Sequence, residues 1–245
     1  MSFVPPGELG AEQKRARDQW LAVRAQAPAP QPPPAAGPAA PRVEALSWAP
    51  RVMLVHGLLT HAECDRLIAT AMPRLERSTV VGGENGASMM SKVRTSSGTF
   101  LKAESAQQRE IADRIAAIIM LPPENQEAMS ILQYEPGQFY RPHQDYFADR
   151  HNIDRGGQRV ATVLIYLSDV EEGGETQFPS AGGKGMCGGE EKSGISVKPV
   201  KGNAVVFWSA TPSGGEDSLS MHAGCPVVKG VKWSATKWVR SGKFV

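Results

Sequence analysis

From Met129 onward the chain breaks into short apolar or alternating runs, each closed by Gly, Pro or Asp, and no other feature limits its fold as strongly. The runs are Ser130 to Tyr134, Phe139 to Gln144, Val160 to Leu167, Thr176 to Phe178, Ile195 to Lys198, Ala204 to Trp208, Ser220 to Pro226 and Trp233 to Val239. Short strands joined by such turns predict a double sheet of barrel-like or jelly-roll form. The helices come earlier. Thr60-His61-Ala62-Glu63 is a capping box, and Cys64, Leu67, Ile68 and Ala71 follow it at helical spacing until Pro73. A second amphipathic helix, Ser105 to Leu121, presents Ile111, Ile115, Ile118 and Ile119 on one face and stops at Pro122-Pro123. Val52 to Val55 is suited to a buried strand. The expected class is mainly β with flanking helices (α+β), the helices packed outside the sheets.

A chain of 245 residues, 41% of them hydrophobic, holds material for one sizeable core. We expect that domain over residues 43–245, preceded by an extension over residues 1–42. Within the extension, Glu12 to Arg24 has a thin apolar face and predicts weak helix or disorder. Ala27 to Pro41 carries seven prolines in fifteen residues, which predicts a polyproline II spacer. That spacer itself resembles a proline-rich substrate. A balance of 27 basic and 25 acidic residues gives no electrostatic footprint for nucleic acid. No apolar run is long enough to span a bilayer, and the start MSFVPPGELG lacks the basic-then-apolar pattern of a secretory signal. Three scattered cysteines exclude a zinc ribbon or a disulfide-dense scaffold; if a bridge forms, Cys187 and Cys225 are the pair to consider.

His143-Gln144-Asp145 carries the chemistry. Side chains at i and i+2 of a strand share a face, so His143 and Asp145 can converge on one point. Two histidines and one carboxylate on one side of a metal leave positions open, as in non-haem Fe(II) oxygenases. The third ligand would come from His56, His61, His151 or His222, of which only His222 is embedded in a late strand. Ten residues on, Lys232 enters another strand. A lysine inside a barrel is costly unless an anion meets it, and a dicarboxylate would be such an anion. Ser78 to Leu101, with its turn Gly82-Gly83-Glu84-Asn85-Gly86, reads as a hairpin or flap.

The motifs Val93-Arg94-Thr95-Ser96-Ser97-Gly98, Tyr134-Glu135-Pro136-Gly137-Gln138, His143-Gln144-Asp145-Tyr146-Phe147, Arg159-Val160-Ala161-Thr162, Tyr166-Leu167-Ser168-Asp169, Gly173-Gly174-Glu175-Thr176, Val197-Lys198-Pro199 and His222-Ala223-Gly224-Cys225-Pro226 through Lys232-Trp233 resemble those of prolyl 4-hydroxylases, the plant and algal type above all. The likeness runs over roughly residues 47–240. It implies a double-stranded β-helix and a dioxygenase that uses Fe(II), 2-oxoglutarate, O2 and ascorbate. It implies that His143, Asp145 and His222 bind Fe(II), that Lys232 pairs with the distal carboxylate of 2-oxoglutarate, and that Tyr134 and Thr176 offer it hydroxyls. Catalysis would then rest on His143, Asp145, His222 and Lys232, with C4 of a peptidyl proline hydroxylated as 2-oxoglutarate becomes succinate and CO2. Tyr140, Arg159, Trp238 and the flap residue Arg94 would contact a proline-rich peptide in polyproline II form, such as a hydroxyproline-rich cell-wall glycoprotein. A monomer without nucleic acid or membrane span is expected, in the endoplasmic reticulum or secretory pathway by resemblance and in the cytoplasm by the missing signal. Two other readings fit the same residues: an oxygenase of this cofactor class with a different protein or small-molecule substrate, and a non-catalytic polyproline-binding module.

Overall fold

The structure is a computed structural model that describes residues 40–245 apart from residues 78, 82–87, 91–93 and 102–104. The helix expected at Glu12 to Arg24, most of the proline-rich spacer and the turn Gly82 to Gly86 lie outside the described residues. Both expected helices form where their caps are. In α1 (His61–Ala71), Thr60 Oγ1 accepts from the Glu63 amide at 3.2 Å and the Glu63 carboxylate accepts from the Thr60 amide at 2.8 Å. Ser105 and Gln108 repeat this reciprocal bonding at the start of α2 (Ala106–Ile119), and Met120 ends the helix with φ of 56° ahead of Pro122. A one-turn helix, α3 (Arg150–Ile153), opens on Asp149.

Twelve strands build two facing sheets. In chain order they are β1 (Arg42–Trp48), β2 (Arg51–His56), β3 (Glu76–Arg77), β4 (Ser97–Leu101), β5 (Met129–Tyr134), β6 (Tyr140–His143), β7 (Arg159–Tyr166), β8 (Thr176–Phe178), β9 (Ile195–Val197), β10 (Ala204–Trp208), β11 (His222–Gly224) and β12 (Lys232–Arg240). The major sheet has eight strands in the order β1-β2-β10-β7-β12-β5-β4-β3, and the minor sheet has four in the order β9-β8-β11-β6. Every pairing within the two sheets is antiparallel.

Alternation along the strands sends the two faces of the major sheet to different tasks. Ile131, Ala161, Val163, Ile165, Ala204, Val206, Ala235 and Val239 pack with Cys64, Leu67, Ile111, Ile115 and Ile119 of the helices. Their opposite-facing neighbours meet the minor sheet, where Tyr166, Val205 and Phe207 pack against Phe178 and Val197. The layers are therefore helices, major sheet and minor sheet, a jelly roll with its helices outside. At about 0.025 kcal/mol per Å² of apolar surface removed from water, each such Leu, Ile or Phe contributes roughly 1.5 to 3 kcal/mol.

Several boundaries differ from expectation for local reasons. The strand expected at Ser220 to Pro226 begins only at His222, because Asp217 caps a 3-10 turn over Ser218–Ser220. The glycine-rich segment Ala181 to Gly194, between the runs expected at Thr176 to Phe178 and Ile195 to Lys198, contains a hairpin pairing Lys184–Cys187 with Glu190–Ser193. Its charged and glycine residues carry no apolar alternation, and what anchors it is a disulfide from Cys187 to Cys225, leaving Cys64 as a buried free thiol. Short pairs also form between Glu172–Gly173 and Val227–Lys229 and between Thr79–Val81 and Ser88–Met90, the latter inside the expected hairpin region. No described helix is long and apolar enough to cross a membrane.

Candidate metal centre

Three cross-strand pairs, facing each other across the gap between the sheets, assemble the site. On the minor sheet His222 of β11 stands directly opposite His143 of β6. On the major sheet Trp238 of β12 stands opposite Thr162 of β7, and Lys232 of β12 opposite Tyr134 of β5. Asp145 lies two residues past His143, beyond the end of β6 rather than within it, and still converges as expected. One ligand atom from each of His143, Asp145 and His222 lies within 4.8 Å of the others, the only such cluster among the described residues. His143 Nε2 is 3.8 Å from Asp145 Oδ1, and His222 Nε2 is 3.6 Å from Asp145 Oδ2. Of the other histidines considered, His56 pairs with Glu44 on the outer strands, while His61 and His151 sit at the starts of α1 and α3.

Both rings are held in the ligating tautomer. His143 Nδ1 donates to the Arg141 carbonyl at 2.8 Å and His222 Nδ1 to the Ser220 carbonyl at 3.1 Å, so each Nε2 keeps its lone pair for the centre. Gln144, pointing the other way, donates to the Ser218 carbonyl at 2.8 Å and accepts from Ser220 Oγ at 2.9 Å, which ties the β6 end to the turn before His222. Burial, together with the neighbouring His222 ring, holds the His143 pKa down at about 3, so its imidazole is neutral. Burial opposes ionisation of Asp145, but the His222 and His143 rings, Arg159 and the Thr162 hydroxyl outweigh it and bring its pKa to about 2. Asp145 Oδ2 accepts from Thr162 Oγ1 at 2.7 Å and from Trp238 Nε1 at 3.0 Å. Two imidazoles that turn Nε2 to the centre and one carboxylate on a single side are a donor set suited to Fe(II) with open positions.

The same gap suits an anion. A pocket of about 480 Å³ is lined by the three residues above together with Arg94, Tyr134, Tyr140, Thr176, Lys232, Ser234 and Trp238. Lys232, 3% exposed, has its ammonium 5.6 Å from the Tyr134 ring and 5.7 Å from the Tyr166 ring, and forms no ion pair or hydrogen bond among the described residues. Burial lowers its pKa to about 8, with Glu175 pulling the other way. The Ser234 hydroxyl, 1% exposed and one strand position along on the same face, has no hydrogen-bond partner among the described residues. Thr176 Oγ1 accepts from the Tyr166 hydroxyl at 2.9 Å, which leaves its own proton to donate into the pocket. Burial raises the Tyr134 pKa, so that hydroxyl stays a donor.

Tyr140 stacks on His143 with ring centroids 3.6 Å apart, and the Arg94 guanidinium lies 5.2 Å from the Tyr140 ring. Arg159 packs against Trp238 and is not among the residues lining this pocket. Its guanidinium is 3.9 Å from the Trp238 ring and donates twice to the Glu127 carboxylate, at 2.7 and 2.8 Å. Thr162, Tyr166, Ser234, Gln144 and Glu127 escaped the sequence reading. Thr162, Tyr166 and Gln144 do fall within the quoted motifs, but without an assigned role, whereas Ser234 and Glu127 lie outside them.

The model of the 2OG-Fe(II) oxygenase superfamily matches residues 129–240, the stretch that carries every ligand position. Prolyl 4-hydroxylase 1 of Arabidopsis thaliana is 53% identical over 201 residues, covering 80% of this chain and 71% of the relative. Prolyl 4-hydroxylase 5 of the same plant is 47% identical over 213 residues, covering 82% of this chain and 72% of the relative. Among solved structures, the viral collagen prolyl hydroxylase of Paramecium bursaria Chlorella virus-1 in its 2OG complex superposes with a TM-score of 0.58 at 26% identity, over 77% of this chain and 94% of the other. These likenesses show the family and the fold together, and the chain belongs to the prolyl 4-hydroxylase family of 2OG-Fe(II) oxygenases.

Proposed function

We propose that this chain is a peptidyl-proline 4-hydroxylase acting on proline-rich segments in polyproline II form, such as those of hydroxyproline-rich cell-wall glycoproteins. One observation carries the reading: the His143, Asp145 and His222 cluster and the buried Lys232, which has no ion pair among the described residues, open on one pocket whose wall is Tyr140, Trp238 and Arg94. The net reaction inserts one atom of O2 into the proline C4–H bond and uses the other to convert 2-oxoglutarate to succinate and CO2; this balances without a further reductant, and ascorbate serves only to keep the metal ferrous between turnovers. Fe(II), held by His143, Asp145 and His222, supplies the activation of dioxygen when bound.

The protein's part is placement. Lys232 supplies the positive charge that meets the distal carboxylate of 2-oxoglutarate, with Tyr134, Thr176 and Ser234 as hydroxyl donors around it. Each is buried, so these contacts act in a water-poor pocket where they are strong. Tyr140 and Trp238 offer aromatic faces that suit a preformed polyproline II helix, and Arg94 caps Tyr140. Arg159 serves the same surface by packing on the Trp238 ring. Residues 43–245 form the catalytic domain and residues 1–42 an extension, in a monomer of the secretory pathway. That compartment is consistent with the Cys187–Cys225 bond.

Incubation with Fe(II), ascorbate, 2-oxoglutarate and a polyproline peptide should add oxygen mass to the peptide in step with succinate release. Succinate without a peptide mass shift would leave an oxygenase with the wrong substrate assigned. An Asp145→Ala variant that still binds peptide normally, when the parent shows no turnover, would instead indicate a binding module.

A further inference from the structure

We propose that Thr162 and Trp238 are positioning residues for the metal: together they saturate Oδ2 of Asp145, so that Oδ1 alone is presented as ligand. This rests on reading His143, Asp145 and His222 as the metal centre. A carboxylate oxygen offers about two lone-pair sites. The Thr162 hydroxyl and the Trp238 indole N–H take both on Oδ2, at 2.7 and 3.0 Å, so that Oδ2 has none left although His222 Nε2 is 3.6 Å from it, whereas Oδ1 accepts no hydrogen bond among the described residues and lies 3.8 Å from His143 Nε2. Bonds to an ionised acceptor are of the stronger kind.

The arrangement comes from strand register. Thr162 and Trp238 are directly opposed Cα partners on β7 and β12, so their side chains leave the major sheet side by side and reach one atom of the facing loop. Neither donor is free to wander. Thr162 is 1% exposed and stiff at χ1. The Trp238 ring lies between the Arg159 guanidinium, 3.9 Å away, and Phe100, at 6.5 Å between centroids. Glu127 grips Arg159 with both oxygens and also accepts from the fully buried Arg240 at 2.6 Å. The orientation of one ligand oxygen is thus set by a chain of contacts that starts at Glu127, in the segment between α2 and β5. Trp238 then does two jobs with different parts of its side chain, its ring face walling the pocket and its N–H holding Asp145.

That division makes the test clean. Thr162→Val and Trp238→Phe each remove one donor while keeping most of the side chain's bulk; Thr162→Ser keeps the donor. Co(II) titration of the metal-free proteins, followed by visible absorption without cosubstrate, should show Thr162→Val and Trp238→Phe binding about 10- to 100-fold more weakly than the parent, with altered band positions. Thr162→Ser should match the parent, which a loss caused by packing alone would not predict. The double variant should lose less than the product of the single losses, because both donors serve one oxygen. Parent-like Co(II) affinity and spectrum in both single variants, with far-UV spectra showing them folded, would overturn the proposal. Should one variant fail to fold, the other and Thr162→Ser decide it on the same criteria. If the parent itself binds no Co(II), the metal-centre reading has failed, a separate result from the failure of this one.

Discussion

Replacing Lys232 with methionine should make the protein more stable while removing its response to 2-oxoglutarate. The ammonium is 3% exposed, and burial, partly offset by Glu175, brings its pKa from 10.5 to about 8. At about 1.36 kcal/mol per pH unit, that difference means the charged form resists burial by about 3 kcal/mol. The folded pKa lies below the unfolded one, so the unfolded chain holds the proton more tightly. The penalty is therefore full below pH 8 and fades as pH rises from 8 towards 10.5. At pH 9.5 linkage leaves about 1.4 kcal/mol of it. Methionine fills the volume of the lysine stem without a charge, so the variant escapes the penalty without opening a large cavity. Urea unfolding of metal-free protein, without cosubstrate, should find Lys232→Met about 3 kcal/mol more stable than the parent at pH 7, with the gap roughly halved at pH 9.5. Adding 2-oxoglutarate should raise the parent's midpoint at pH 7 and leave the variant's unmoved. A variant no more stable than the parent at pH 7, or a gap that ignores pH, would refute the description of Lys232 as a buried charge awaiting an anion.

The remaining predictions concern supports away from the ligands. Glu127→Ala leaves Arg159 and the buried Arg240 without their shared carboxylate and should cost about 3 to 5 kcal/mol in denaturant unfolding; a cost under about 1 kcal/mol would mean that the network is dispensable. Opening the Cys187–Cys225 bond frees a span of 38 residues, so the Cys187→Ser, Cys225→Ser variant should lose about 4 kcal/mol against the oxidised parent, and none against the reduced one. Gln144→Ala cuts the tie between the β6 end and the Ser218–Ser220 turn. Calorimetry should find Mn(II) bound about tenfold more weakly with the fold intact, and unchanged affinity would show that His222 needs no such tether.

Much of this site can be read from the chain because its features are local. The i, i+2 spacing of His143 and Asp145, the caps at Thr60 and Ser105, and the short alternating runs are all properties of neighbouring residues. The likeness to prolyl 4-hydroxylases adds His222 and Lys232. What escaped depends on register and on distant partners. Nothing near Thr162 says that Trp238 will stand opposite it, or that both will reach for an oxygen on another sheet's loop. Arg159 shows the same limit. Its motif marks it as important, yet its partner Glu127 lies 32 residues earlier in a segment with no signal of its own, and that pairing accompanies the stacking of its guanidinium on the Trp238 ring. The hairpin in residues 184–193 is not legible in the sequence because a disulfide to Cys225, 38 residues along the same chain, and not apolar patterning, anchors it.

The alternation of the last strand separates what holds the protein together from what it does, by the parity of residue numbers. On β12 the odd positions Trp233, Ala235 and Val239 belong to the core beneath the helices, whereas the even positions Lys232, Ser234, Thr236 and Trp238 line the pocket. Mutational tolerance should differ accordingly: changes at Trp233, Ala235 and Val239, and at the Glu127 partner Arg240, register as lost protein, and changes at Lys232, Ser234, Thr236 and Trp238 as folded protein with altered chemistry. A library confined to the even positions would therefore explore new cosubstrates and peptides on an undisturbed scaffold.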